Sequence, residues 1–372
     1  MKTADVIVIG GGLSGASTAL GLVKEKAGKV IMFDNQLPTQ RLSRANFGLT
    51  WFMCKGGGSA SYAKWCRTAC KEWPEFAAEL EDETQINVEL EWTGGALHAF
   101  GEDQWNAHAA SVKKLTDVCG QAGLDYPVSM LNRDEFSDLV PKMQLGDQVS
   151  GAMYTPEQGH VNPLLVLAAM RKAFQNRGGE FISGQNITKI VPNGNTVTVE
   201  TKDESYSCQK LVVAAGHGNA RLLFPLGYDL KIYPQRGQLL VTERCERKLP
   251  FPLLAVRQTQ DGTFMIGLST EDVAHDVRVT PEAMQQQAKN AISIFPELAS
   301  LNWVRAWGAV RVMTPDGAPV YDTLPNHPNI YVMALHSALS LNPLHASVIA
   351  PWILTGKNSE TISHFSNGRF NV

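Results

Sequence analysis

The chain has 372 residues, 44% of them hydrophobic and 19% charged, and a formal net charge of -3. That is enough to bury a large core in two domains, or in one domain with a large insertion. Its Lys and Arg residues form no basic run, so nothing points to nucleic acid, and no apolar stretch approaches the ~20 residues of a membrane helix.

The six cysteines, at positions 54, 66, 70, 119, 208 and 245, include no CxxC pair. They argue against zinc or an iron–sulfur cluster and read as reduced thiols of a cytosolic protein; no metal site is expected. Lys2 precedes an apolar run, but the run is short and breaks into glycines rather than a small-residue cleavage site, so it reads as a strand and not a secretion signal.

That strand, Val6 to Ile9, has the unbroken apolar character of one buried on both faces, and it leads into Gly10, Gly12 and Gly15 with a helical pattern behind them. Gly10 would make the turn, Gly12 would let the backbone approach a pyrophosphate, and Gly15 would let helix and strand pack closely. Free N–H groups at the helix start, in the neighbourhood of Leu13 and Ser14, would hold the phosphates. A second apolar run, Val30 to Phe33, ends in Asp34, which is placed to accept a hydrogen bond from an adenosine ribose hydroxyl.

From Leu37 to Gly58 the polar and glycine content suits an ordered loop lying over a ligand, with Ser43, Arg44, Asn46, Phe47 and Trp51 as its distinctive residues. Helical spacing follows over Tyr62 to Leu80. Alternation over Val88 to Phe100, around Gly94 and Gly95, predicts a hairpin or bulged strand in a separate antiparallel sheet. Helices are predicted at Asp103 to Ala122 and Arg133 to Leu139, the latter capped by Asn132.

Asn162 and Pro163 then start a helix to Gln175. Strand-like runs at Glu180 to Ile182, Ile187 to Val191 and Val197 to Val199 precede Lys210 to Ala215, which ends at Gly216 like the carboxyl edge of a parallel sheet. Arg221 stands where a third glycine would be needed, so no second dinucleotide site is expected.

Pro234 to Gly237 reads as a turn before a strand at Gln238 to Thr242. Leu253 to Gln258 and Thr263 to Leu268 read as a hairpin joined at Asp261-Gly262 by a type I′ turn. Pro281 to Phe295 is helical. The chain closes with strands at Trp303 to Val312 and Ile330 to Leu335 and a helix from about Asn342 to Leu354.

Four segments together resemble the D-amino-acid oxidase and glycine/sarcosine oxidase superfamily of FAD-dependent enzymes: GGGLSGASTALGL with Asp34, PQRG at Pro234 to Gly237, LVVAAG at Leu211 to Gly216, and WGAVRVMTPDGAPV at Trp307 to Val320. SRANFGLTW and VRQT at Val256 to Thr259 resemble more narrowly the flavin subunits of opine, D-hydroxyproline and L-proline dehydrogenases and of hydrogen cyanide synthase.

The resemblance implies an α/β fold, with a Rossmann-like FAD-binding domain over residues 1–84, 151–225 and 305–372. An inserted α+β antiparallel-sheet substrate domain would occupy 85–150 and 226–304. FAD would be held by Gly10, Gly12, Leu13, Ser14, Gly15, Asp34, Ser43, Arg44, Asn46, Phe47, Gly48, Ala215, Gly216, Ser337 and Leu339. The implied reaction is amine oxidation by hydride transfer from the substrate α-carbon to flavin N5.

Arg311 falls where family members hold the substrate carboxylate, and a planar guanidinium can grip a carboxylate bidentately. Its structural alternative is a salt-bridge arginine at a strand end. Arg257, Trp51 and His336 are the further candidates, with a solvated strand residue as the alternative for Arg257 and a core aromatic for Trp51. His345 reads as a packed histidine.

Two departures stand out: Asp34 replaces the commoner Glu, and His336-Ser337-Ala338-Leu339-Ser340 lacks the family's glycine, whose freedom for positive φ alanine does not share. With no iron–sulfur framework of its own, the chain would pass electrons to a partner subunit or another acceptor. The alternatives are a self-sufficient oxidase using oxygen and a non-catalytic flavin-binding protein. An NAD-dependent dehydrogenase is disfavoured, since one nucleotide fingerprint serves one dinucleotide.

Overall fold

A computed structural model describes residues 1–35, 42–357 and 360–371. The Leu37 to Arg41 part of the expected loop lies outside these residues, as do 358, 359 and 372.

The larger sheet is built on parallel strands. Lys2–Ile9 pairs with Val30–Asp34 on one side and Ser205–Val213 on the other; Glu180–Ser183 joins the first and His327–Ala334 the second. Val320–Leu324 closes one edge antiparallel, and Thr196–Glu200 with Lys189–Asn193 extends from Ser205–Val213. The unbroken apolar run at Val6 to Ile9 follows from cover on both faces. Val6 and Val8 pack with the Leu13–Lys24, Pro163–Asn176 and Ala338–Leu344 helices, while Ile7 and Ile9 pack with Tyr206, Leu222 and Leu223.

The described residues also form three smaller antiparallel sheets. One has four strands in the order Val256–Gln258, Thr263–Ile266, Tyr233–Arg244 and Trp303–Met313; another orders Gly95–Phe100, Val149–Thr155 and Ser129–Asn132; and Leu49–Thr50 pairs with Gly159–His160. The Pro281–Ile294 helix packs Met284 and Ala291 against Leu240 and Ile266 of the four-stranded sheet. The expected boundaries at 150/151 and 304/305 cut through Val149–Thr155 and Trp303–Met313, both whole strands of antiparallel sheets.

Several elements differ from expectation for local reasons. Tyr62 to Leu80 is two helices, Ala60–Lys71 and Trp73–Thr84, because Pro74 can occupy only a first turn. Within Val88 to Phe100 only Gly95–Phe100 is a strand; Glu91 makes a single bridge to His160, and the left-handed Glu89, at φ 56°, interrupts any ladder. Pro234 to Gly237 lies inside Tyr233–Arg244 rather than in a turn; Pro234 faces Val312 in register, and the ladder to Thr263–Ile266 begins only at Leu240, so the missing N–H costs no bond.

At Asp261-Gly262 only the glycine has positive φ, and Gly262 N–H donates to Thr259 O, 2.9 Å. That is a three-residue loop ending in a left-handed glycine, not a type I′ turn. The last helix starts at Ala338 rather than Asn342 and passes through a π-turn, His345–Ile349, before Ala350–Thr355. The Asn132 cap is present as a full capping box.

Candidate active site

The glycine turn is shaped by close approach. A Cβ on Gly10 would lie 2.4 Å from Ala214 O, one on Gly15 would lie 1.8 Å from Gly10 O, and one on Gly12 would lie 2.7 Å from Ser43 Oγ. Gly12 caps the Leu13–Lys24 helix without any side chain, so the first-turn N–H groups of Ser14 and Gly15 have no acceptor within the helix. Leu13 N–H donates to Ser43 Oγ at 3.0 Å, and Gly11 N–H to Asp34 Oδ2 at 3.0 Å.

These groups border a cavity of about 640 Å³ at the carboxyl ends of the parallel strands, where ligands of such sheets bind. Of the expected cofactor residues, Gly10, Gly12, Leu13, Ser14, Asp34, Ser43, Arg44, Ala215 and Gly216 line it. Gly15, Asn46, Phe47, Gly48, Ser337 and Leu339 do not. Gly15 acts through helix packing, and Asn46 accepts Gly48 N–H on Oδ1 at 2.8 Å, shaping the loop.

Sequence reasoning missed Arg171. It reaches from the Pro163–Asn176 helix to donate from Nε to Gly11 O, 3.0 Å, and lies 3.3 Å from Asp34 Oδ2, its guanidinium stacked 4.8 Å from the Phe181 ring. Burial, with Arg44 nearby, lowers its pKa to about 10, which leaves it charged. Nothing in a helix pattern marks such an arginine; only the packing of that helix over the glycine turn brings it in. Arg44, Arg171 and Arg221 thus face the cavity against the single carboxylate of Asp34, a field suited to a pyrophosphate. The side-chain-free glycine cradle and this positive lining fit an adenine dinucleotide.

His217 and His275 also line the cavity, with ring centroids 4.7 Å apart. His217 Nε2 lies 3.0 Å from Arg311 O, so it carries the proton and donates; burial lowers this ring's pKa and keeps it neutral.

The four-stranded sheet turns one face toward the Ala45 to Gly48 loop. Register puts Gly237, Leu239, Arg257, Met265, Trp307, Ala309 and Arg311 on that face. Trp307 Nε1 donates to Ala45 O at 3.2 Å, and Arg257 lies 5.8 Å from the Phe47 ring.

Arg311 donates to two main-chain carbonyls, Arg236 O at 3.2 Å and Ser269 O at 2.9 Å, and among the described residues it makes no ion pair. It lies so flat on Gly237 that a Cβ there would be 2.2 Å from Nη2. Burial lowers its pKa, and Glu271 opposes that. Arg311 does not line the dinucleotide cavity; its neighbours Val310 and Val312, on the other face of the strand, do.

The remaining candidates have more structural surroundings. Arg257 is 4% exposed, not solvated; its Nη1 is 2.9 Å from His160 Nδ1, its Nη2 is 2.9 Å from Met265 Sδ, and its Nε has no partner among the described residues. Burial lowers its pKa to about 10. Since His160 Nδ1 must accept, Nε2 holds the proton, 3.6 Å from Glu91 Oε2. Arg257 braces the loop at Gly48, whose φ is 98° and where a Cβ would meet Nη2 at 3.0 Å.

Trp51 is buried, its main-chain N–H donating to Ser340 Oγ at 3.1 Å. His336 keeps an exposed face while protein crowds its other sides. That crowding, with the charges of Lys55 and Arg311, lowers its pKa to about 3 and keeps it neutral. Lys55, which no sequence pattern singles out, donates to Ser340 Oγ at 3.3 Å beside it.

Comparison with known proteins agrees with this geometry. A family model described as FAD dependent oxidoreductase (DAO) matches residues 5–352. A protein of Rhizobium meliloti named as one of the subunits of opine oxidase is 33% identical over 373 residues, covering 100% of this chain and 99% of the relative. Hydrogen cyanide synthase subunit HcnC of Pseudomonas protegens is 26% identical over 355 residues, covering 86% and 84%. The crystal structure of glycine oxidase from Geobacillus kaustophilus superposes with a TM-score of 0.89 at 22% identity, covering 99% of each chain, and so shares the fold. With its glycine cradle, its positive dinucleotide cavity and a match along nearly its whole length, the chain belongs to the DAO family of FAD dependent oxidoreductases, and FAD is its cofactor.

Proposed function

We propose that this flavoprotein oxidises the C–N bond of an amino or imino acid, with opine-like secondary amines, proline and hydroxyproline as the substrate class, and passes the electrons to a partner subunit or another acceptor. The observation that carries it is Arg311: a cation on the site-facing side of the sheet, held among the described residues only by carbonyl oxygens, with guanidinium N–H groups left for a carboxylate. The likeness to an opine oxidase supports the substrate class, and two relatives named as subunits support the partner. In this reading residues 1–84, 151–225 and 305–372 serve FAD and the intervening segments serve the substrate, with Val149–Thr155 and Trp303–Met313 counted whole on the substrate side.

Bound FAD supplies the two-electron acceptor. Arg311 fixes the carboxylate and therefore the α-carbon, while Gly237 keeps the guanidinium flat on the sheet. Leu239, Trp307 and Phe47 exclude water, which favours an uncharged amine. His336, neutral, offers hydrogen bonds without competing for the carboxylate as a second cation.

The test is anaerobic mixing of the yellow holoprotein with an opine-type secondary amine, proline, hydroxyproline, sarcosine and glycine, following the flavin band. Bleaching by the secondary amines is expected. A band that stays unchanged with the whole panel would sink the reading, and rapid recovery with peroxide when air is admitted would replace the partner subunit with oxygen.

A further inference from the structure

The opposite face of the four-stranded sheet, carrying Gln238, Leu240 and Ile266, is covered by the Pro281–Ile294 helix. Between that helix and the Gly267 to Glu271 segment lies a second cavity, of about 450 Å³, separate from the dinucleotide cavity. Gln287 lines it, is 3% exposed, and among the described residues has no partner for either Nε2 or Oε1. Buried amides left unpaired at both ends are rare in folded proteins, because each orphaned group has given up its hydration without a hydrogen bond in return.

A second feature points to the same place. Leu268, at the cavity wall, has φ 94° and is 48% exposed. A bulky residue in that region stores strain of the kind found in ligand-binding segments. The next residue, Ser269, gives its carbonyl to Arg311 and accepts Gln238 N–H on Oγ at 2.8 Å, so this wall is shared between the cavity and the Arg311 clamp.

The lining defines the ligand's chemistry. It contains Glu271 and Glu282 and no cationic side chain, which disfavours anions. Glu271 is already engaged by Arg236 and Gln238 and is not available to draw in a cation. Gln287 needs a donor for Oε1 and an acceptor for Nε2 side by side. An ammonium leaves Nε2 unmet, a carboxylate leaves Oε1 unmet, and a primary amide meets both. We propose that this cavity binds a small molecule through an uncharged primary amide docked on Gln287, between the helix and the Leu268–Ser269 wall.

Saturation-transfer NMR on the FAD-loaded protein tests this, with isobutyramide as probe and isobutyrate and isobutylamine as shape-matched charged controls. Stronger transfer to the isobutyramide methyls than to either control is expected. It should be lost in Gln287→Leu and in the near-isosteric Gln287→Glu, each confirmed to retain flavin and its melting temperature. Ala283→Phe, which fills the cavity from the same helix without touching the amide, should also abolish it. Arg311→Lys, which keeps a donor for Ser269 O but loses the planar fork for a carboxylate, should leave the signal intact, which separates this site from the substrate site. Equal transfer to all three probes, no transfer to any because the cavity holds only ordered water, or a signal that survives both Gln287 variants and Ala283→Phe would overturn the proposal.

Discussion

At Gly15 an added methyl would sit 1.8 Å from a backbone oxygen, and at Gly10 one would sit 2.4 Å from another. Sequence spacing reveals such positions because the turn is local: strand, turn and helix are contiguous in the chain. Asp34 was legible for the same reason. Arg171 and His275 were not, since each reaches the site from an element that only folding brings near; Lys55 and His217 lie in segments the sequence did mark, but nothing in the pattern set them apart from their neighbours. Replacing Arg171 with Met removes a cation and two donors from Gly11 O, and loss of charge-assisted bonds of about 1.5–3 kcal/mol predicts roughly 10- to 100-fold weaker FAD binding, read by flavin fluorescence at equilibrium. Arg311→Met should raise KM for carboxylate substrates by a similar order while FAD affinity stays within about twofold, because its side chain lies outside the dinucleotide cavity. A large loss of FAD affinity in that variant would remove Arg311 from the substrate side.

At the scale of elements, the helix holding the glycine turn is tied down through His345. Ser17 donates to Leu13 O at 2.8 Å, so His345 Nδ1, 3.2 Å from Ser17 Oγ, is the donor of that pair; Nε2 then accepts from Tyr321 OH at 2.9 Å. Complete burial lowers the His345 pKa to about 3 from its ordinary 6.5. The folded state therefore refuses a proton that the unfolded chain takes up. This contribution to stability is fully present above about pH 6.5 and is lost as pH falls toward 3, at a slope of up to about 1.4 kcal/mol per pH unit. Urea unfolding at pH 7, 6 and 5 should show a steeper loss in wild type than in His345→Gln; equal slopes would assign the acid sensitivity elsewhere.

Helix caps such as Asn132 and Asn162 could be read from sequence because they act within three residues. The alternation over Val88 to Phe100 misled because chain pinned by Glu91 to His160 mimics a strand's period without a ladder. Pro234 misled for the converse reason: a turn signal is overridden when a strand edge has no partner to lose.

For the molecule as a whole, the alternation of parallel and antiparallel segments was evident from the shift between unbroken and alternating apolar runs. Where each sheet claimed its strands was not, because Val149–Thr155 and Trp303–Met313 owe their place to Gly95–Phe100 and Tyr233–Arg244, each more than 40 residues away in the chain. FAD binds only the folded chain, so holding it at 100 times its Kd should stabilise by about 2.7 kcal/mol. Stripping the flavin should lower Tm by several degrees in calorimetry, and adding FAD back should restore it; an unchanged Tm would mean that the cavity is not held open by its ligand.

The dinucleotide cavity draws its lining from residues as far apart in the chain as Ile9 and Ala338. During synthesis the ribosome delivers the glycine turn long before the closing segment, so no nascent fragment short of that segment has a complete cradle. Cofactor capture in this sense waits for that segment, and a chain truncated before Ala338 would leave the ribosome colourless however well its earlier strands had folded.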